Sequence, residues 1–373
     1  MVMNEMQVLQ NVFPEMTTFE WLERAYRNAR KIKRYRDEIL AFSNDLDGNL
    51  LKIQKELRDE TFRFEAYRRH WIYVPKKRVV MALPFYSRIA QWSIYQELMP
   101  FYDKLMIEDS YACRKNKGSL AAALRLQYWL KLTSGKPGQW YALKLDISKY
   151  FYRVDHKLLL ELLNVRVKDE KLMRLLDSII NCDGEKFGLP RFVGPTEAED
   201  FEWLDDIGMP IGNLTSQLFA NIYLNELDQF CKHVLHIHFY ARYMDDIVIL
   251  APDKETANRY RTIIGKFLYN RLRLDLNSKT SIRPATRVEF VGYLVTARAL
   301  RLRKPTVRRI KSAFRGICKR YFAGDLTPAE FNRRVASYKG MIEHCENEGL
   351  RTRLNEIYLH AKEAHYKGGA CML

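Results

Sequence analysis

Apolar and polar positions recur along this chain with two periods, one helical and one alternating. Residues 17–44, TTFEWLERAYRNARKIKRYRDEILAFSN, carry apolar side chains at helical spacing and predict one helix. Thr17 or Thr18 ahead of Glu20 or Glu23 supplies its capping pair. HWIYVP and RVVMALP are β-rich runs joined by Lys76 and Lys77, a hairpin with a basic tip. A helix follows from about Tyr86. A basic loop, Arg114 to Lys117, then runs into an amphipathic helix. YALKLDI (141–147) is a short apolar strand carrying one acid, Asp146, and Asp155 is placed to cap the next helix. Residues 184–206 are rich in Gly and Pro and acidic towards their end, which predicts a loop. GMPIGNLTSQLFANIYLNELDQF predicts a turn and a long helix. HIHFYARYMDDIVILAP predicts two strands about an acidic centre. A charged helix near 253–273 and a hairpin from VEFVGYLV complete the region. Strands and helices in this mixed order predict an α+β fold.

Composition narrows the function. The 373 residues hold 62 Lys and Arg against 45 Asp and Glu, a net charge of +17. So basic a chain suits a polyanionic partner, with a solvated basic surface as the plain alternative. No apolar run approaches the roughly 20 residues that cross a bilayer, and the N-terminus lacks a signal-peptide core. The six cysteines form no C-x-x-C pair, which argues against a zinc knuckle or a disulfide framework and fits reduced thiols in the cytoplasm. From Arg301 to Arg320 there are nine Lys or Arg and no acid. This shift marks a boundary near 298. The expected segments are a basic helical extension at 1–44, a central part at 45–298 and a helical basic part at 299–373.

Tyr243-Met244-Asp245-Asp246 is the most informative tetrapeptide. Adjacent carboxylates between apolar strands repel and resist burial. A solvated hairpin turn would account for them alone. Asp146, a second isolated acid closing an apolar strand, changes the balance. Three carboxylates at strand ends form a hard-oxygen set suited to Mg²⁺. Two such ions can clamp an attacking 3′-hydroxyl and the phosphate oxygens of a nucleotide.

On these residues the chain resembles a reverse transcriptase. LKLDISKYF, GMPIGNLTSQLFANIYLNELD, YMDD, LRLDLNSKT and VEFVGYLV match that family's blocks in order and spacing, over about 70–340. Most reverse transcriptases of group II introns and retroviruses carry Gln before this Gly and Pro after this Ser, where the chain has Ile211 and Gln217. The IGNLTSQ block is similar to the reverse transcriptases of diversity-generating retroelements. These bacterial and phage enzymes copy a template-repeat RNA with errors at adenine, for mutagenic retrohoming.

The resemblance implies a right-hand polymerase: fingers and palm around an antiparallel sheet, then a helical thumb. It implies two Mg²⁺ held by Asp146, Asp245 and Asp246 with the Ile147 carbonyl. Phe151 would exclude a 2′-hydroxyl by size. Arg78, and more weakly Lys76, would cover the triphosphate. Ile211 and Gly212 would pack under the nascent pair, Gln217 would touch template backbone or support the site, and Lys279 would lie near the triphosphate. Tyr243 and Gly292 would support the primer end. Arg301, Arg303, Arg308 and Arg309 would face the RNA–cDNA hybrid, and Arg114 the template. Plain packing or surface roles compete for Tyr243, Phe151, Gln217 and Lys279. The implied partners are template RNA, dNTPs and a small basic pentameric accessory protein, for which acidic residues 197–206 are a candidate contact. The rivals are a retron-like or antiphage-defence enzyme, and a silent RNA-binding module that kept the fold.

Overall fold

A computed structural model describes residues 7–73, 78–346 and 348–369. In chain order the helices and strands begin with α1 (Phe13–Met16), α2 (Phe19–Ala29), α3 (Asp37–Asn44) and α4 (Leu46–Arg58). Then come β1 (Arg68–Ile72), β2 (Arg78–Ala82), α5 (Phe85–Leu105), α6 (Ser119–Ser134), β3 (Tyr141–Asp146), α7 (His156–Arg166) and α8 (Glu170–Ile180). The centre holds α9 (Leu214–Gln229), β4 (Tyr240–Tyr243), β5 (Asp246–Ala251) and α10 (Lys254–Leu272). The chain closes with β6 (Ser281–Pro284), β7 (Val288–Phe290), β8 (Tyr293–Val295), β9 (Leu300–Leu302), α11 (Lys304–Phe322), α12 (Pro328–Glu343) and α13 (Glu348–Gly369). The fold is α+β, as the mixed element order requires. Among the described residues no helix is long and apolar enough to cross a membrane.

The chain forms two compact units. The first takes the residues up to Cys113, Asp146–Ile237 and Arg261–Lys279. Its helices pack through Leu22 and Tyr26 of α2, Ile89 and Ile94 of α5, and Tyr223 and Leu224 of α9, all 3% exposed or less. Thr18 caps α2 by accepting from the Trp21 backbone N–H, as its position predicts. The single helix expected over 17–44 is in fact two, α2 and α3. Five cations between Arg30 and Arg36 would crowd one another at helical spacing. The chain turns there instead, with Ile32 left-handed at φ 69°. A second core joins Tyr67, Val79, Met81 and Leu83 to Tyr152, Phe187, Leu189 and Trp203, with Ile211 packed against it. The Gly- and Pro-rich segment expected as a loop thus contributes Phe187, Leu189 and Trp203 to this core.

The second unit takes Arg114–Leu145, His238–Tyr260 and the residues from Thr280 onward. Its main sheet has the strand order β4-β5-β3-β6, with β4/β5 and β3/β6 antiparallel. Strand β6 had no expectation in the sequence. SIRP is short and polar, and its β conformation comes from pairing Ser281 with Lys144 and Pro284 with Tyr141. The predicted VEFVGYLV hairpin gains a third strand, β9, through Val295↔Leu300. The basic helix expected from Arg301 starts later, at Lys304, with Pro305 in its first turn. Arg301 lies on β9, and Arg303 is the residue before the helix. Helices α11, α12 and α13 enclose a small core of Phe314, Cys318, Val335 and Ile357.

Candidate active site

Strands β4 and β5 pair Tyr243 with Asp246, leaving Met244 and Asp245 as a two-residue turn. Met244 has φ 54°, the left-handed region that glycine enters freely and that costs another residue roughly 1 kcal/mol. The turn is held from below. Arg242 is 0% exposed, and its Nη1 donates to the Met244 carbonyl at 3.3 Å. Asp245 and Asp246 are half-buried. The Lys144 ammonium lies 3.3 Å from Asp246 Oδ1 and donates to the Glu289 carbonyl at 3.0 Å. Lys144 belongs to β3, the neighbour of β5, and Asp146 ends that strand. The next residue, Ile147, is buried and bridges to Leu276, while the Asp146 carbonyl accepts from Asn277 N–H at 2.7 Å.

In the first unit two backbone hydrogen bonds hold two of the expected nucleotide contacts, Phe151 and Ile211. Met209 N–H donates to the Phe151 carbonyl at 2.7 Å, and Met81 N–H donates to the Ile211 carbonyl at 2.9 Å. Phe151 is half-buried in a short 3-10 turn, edge-on to Tyr150. Met81 lies on β2, whose first residue is Arg78. Gly212 has φ 112°, and a Cβ there would meet Val80 Cγ1 at 2.6 Å, so this loop must be glycine to lie so close to β2. Gln217, on α9, accepts from the Cys113 thiol at 3.2 Å.

The other expected residues are more scattered. Lys279 is exposed, with its backbone N–H on Asn277 Oδ1 at 3.1 Å. Gly292, at φ 90°, forms the β7–β8 turn, and its carbonyl accepts from Arg303 N–H at 3.3 Å. Arg303 pairs with Glu289 at 3.3 Å and Arg301 with Glu346 at 3.5 Å, while Arg308 and Arg309 are exposed on α11. Arg114 is half-buried in the loop before α6. Lys76 lies outside the described residues.

Sequence reasoning missed Arg242 and Lys144. Both sit in strands as single cations, and an isolated polar residue in an apolar strand was the available signal. Among the described residues no group of three or more His, Cys, Asp or Glu side chains forms a ready metal cage. The donors at the hairpin are nonetheless all carboxylate, the chemistry that Mg²⁺ prefers.

A basic α+β protein with an acid pair on a buttressed hairpin is the class that fold and site define. The chain belongs to the reverse transcriptase (RNA-dependent DNA polymerase) family, whose model matches residues 74–295. It is 25% identical over 236 residues to protein YkfC of Escherichia coli, covering 60% of this chain and 57% of that one. It is 28% identical over 190 residues to the group II intron-encoded protein LtrA of Lactococcus lactis, covering 49% and 28%. It therefore spans just over half of the first relative and about a quarter of the second. Telomerase from Candida tropicalis, solved with a fragment of telomeric RNA, aligns over 87% of this chain and 58% of its own, at 14% identity and a TM-score of 0.47.

Proposed function

We propose that the chain is an RNA-directed DNA polymerase that makes cDNA from RNA and dNTPs. The observation that carries this reading is the Tyr243–Asp246 turn, braced by the buried Arg242, in a sheet whose strand β3 ends on Asp146. Family membership over residues 74–295 agrees with it.

Asp146, Asp245 and Asp246 are the residues to hold two Mg²⁺, with the Ile147 carbonyl beside them. Bound there, the ions would lower the pKa of a primer 3′-hydroxyl and offset charge on the triphosphate. The protein's own part is positioning. The strained turn presents Asp245 on a fixed backbone, and Lys144 balances the charge of Asp246. Phe151, fixed through its carbonyl, excludes a ribose 2′-hydroxyl. The Arg78 guanidinium would fork onto the triphosphate, with Lys279 and, more weakly, Lys76 adding point charges beside it. Ile211 and Gly212 form the floor under the nascent pair, and Ile211 offers it only apolar surface. Tyr243 and Gly292 support the primer end. The cations of α11, with Arg301 and Arg303, take the hybrid's phosphates. In these terms 1–44 is an N-terminal basic helical extension, 45–298 is fingers and palm, and 299–373 is the thumb.

Within that class, the Ile211–Gln217 block favours error-prone copying of a template-repeat RNA for a diversity-generating retroelement, in the cytoplasm of a bacterium. An apolar Ile211 makes no hydrogen bond to discriminate mispairs. A small basic accessory protein would complete the complex, with acidic residues 197–206 as its contact. The test is primer extension on an adenine-containing RNA template with Mg²⁺ and dNTPs, then product sequencing, beside Asp245→Ala. Errors concentrated at adenine support the full reading, and Ile211→Gln then lowers them. Accurate extension keeps the polymerase and points to a retron-like or defence enzyme. No extension, even with cognate RNA and accessory protein, returns the chain to a silent RNA-binding module.

A further inference from the structure

A groove of about 870 Å³ lies within the first unit, between the 28–38 segment, β2, the start of α5 and residues 212–217, the turn into α9 and its first turn. Lys31, Lys33, Arg36 and Arg68 line it, together with Tyr35 and Trp92. Its other wall holds three carboxamides, Gln91, Asn213 and Gln217, beside Gly212. Cations with aromatic rings suit a single nucleic-acid strand, and carboxamides suit nucleotide edges. The cations are incompletely neutralised. Glu38 pairs with Arg88 and Arg68, yet burial and the nearby Arg88 and Arg36 still push the Lys33 pKa down.

Gln91 is one of two groove carboxamides, with Asn213, whose buried side-chain nitrogen has no hydrogen-bond partner. It is 2% exposed, and its Nε2 is buried without a hydrogen-bond partner. Two buried serines of α5, by contrast, donate inside the protein, while Arg88 Nε and the Tyr102 hydroxyl of the same helix are buried without partners. Ser87 Oγ donates to Glu65 at 2.9 Å and Ser93 Oγ to the Met16 carbonyl at 2.7 Å. Proteins rarely leave a buried donor unused, and one kept in a binding groove points to a ligand acceptor. Gln217 is already oriented, because Cys113 occupies its oxygen.

Resting on the polymerase reading, we propose that Gln91 is a specificity-determining residue whose carboxamide N–H is satisfied by the templating nucleotide of a strand lying in this groove. Two acceptors of that nucleotide fit, the base-edge N3 or O2 that every base presents and the ribose 2′-oxygen of RNA.

The experiment uses the full chain with Gln91→Met, close in shape but without a donor, and Gln91→Leu. Fluorescence anisotropy measures affinity for a labelled primer on an RNA template and on the same DNA template, each with a 5′ overhang. Sequencing of extended products gives misincorporation, and thermal unfolding gives stability. The expected result is about fivefold to tenfold weaker binding, altered misincorporation and an unfolding midpoint equal to or above the parent's. Loss on both templates assigns the base edge, and loss on RNA alone assigns the 2′-oxygen. Unchanged affinity and error spectrum would overturn the proposal. So would a lowered midpoint with binding and extension lost in proportion in both variants, which would make Gln91 purely structural. A parent that binds RNA but extends no primer would instead overturn the polymerase reading, and the anisotropy arm would still decide Gln91.

Discussion

Two hairpins of this protein, β4–β5 and β1–β2, are built in opposite ways. β4–β5 is buried along nearly its whole length and belongs to a four-stranded sheet. It spends a buried arginine and a left-handed Met244 on fixing one turn. β1–β2 is a two-stranded ribbon. Every residue of β1 is exposed, and Trp71 and Tyr73, beside its tip, are 45% and 67% exposed. Of its two strands β2 reaches the core, through Val79 and Met81, while β1 is held by the surface pairs Arg68–Glu38 and Arg69–Glu185. Preorganised charge needs a rigid support, because misplaced carboxylates lose their hold on reacting groups. Capture of a long flexible polymer needs exposed cations and rings instead. On the proposed polymerase reading, the first hairpin suits the chemistry and the second a contact surface.

Substitutions can break or sharpen this contrast. Asp245→Ala should abolish extension, by roughly a thousandfold or more from several kcal/mol of lost charge stabilisation, while RNA affinity stays near the parent's. Equal loss of both in steady-state and binding assays would erase the distinction between the hairpins. Arg242→Met removes a charged hydrogen bond from beneath the turn and should cost about 2 kcal/mol in a urea titration. It should lower kcat more than it raises KM, and a pure KM effect would detach Arg242 from the turn. Gly212→Ala tests the loop beside β2. The strained φ and the Val80 contact should cost about 1–2 kcal/mol and raise the KM for dNTP, and a neutral variant would show that the loop can move. Trp71→Ala should barely change the unfolding midpoint. It should weaken single-stranded RNA binding by about fivefold, near 1 kcal/mol of stacking. The smallest effect concerns pH. The Lys33 pKa lies below the usual lysine value, so its charge is lost earlier as pH rises. RNA affinity should therefore fall with rising pH sooner in the parent than in Lys33→Arg. Superimposable profiles of Kd against pH would count against Lys33 as a phosphate contact.

Local pattern carried much of the architecture. Both hairpins, the long helices and the caps at Thr18 and Asp155 follow from side-chain period and capping chemistry. The Tyr243–Asp246 turn was visible as acids between apolar runs, because that arrangement is costly without a purpose. Other features had no local signature. The 17–44 stretch has helical period throughout, yet its cation run turns beside Arg88 of α5.

By itself the sequence determined the element types, the basic character and the acids at strand ends, since these depend on neighbours along the chain. Tertiary structure alone decided that 141–146 lies between 246–251 and 281–284. It also decided that Arg242 is sealed under the turn, that Trp203 and Phe187 share a core with Ile211, and that Gln91 keeps an unused donor. Strand partners and burial are set by contacts between residues far apart in sequence, and a side-chain period marks which face is apolar without naming what will cover it.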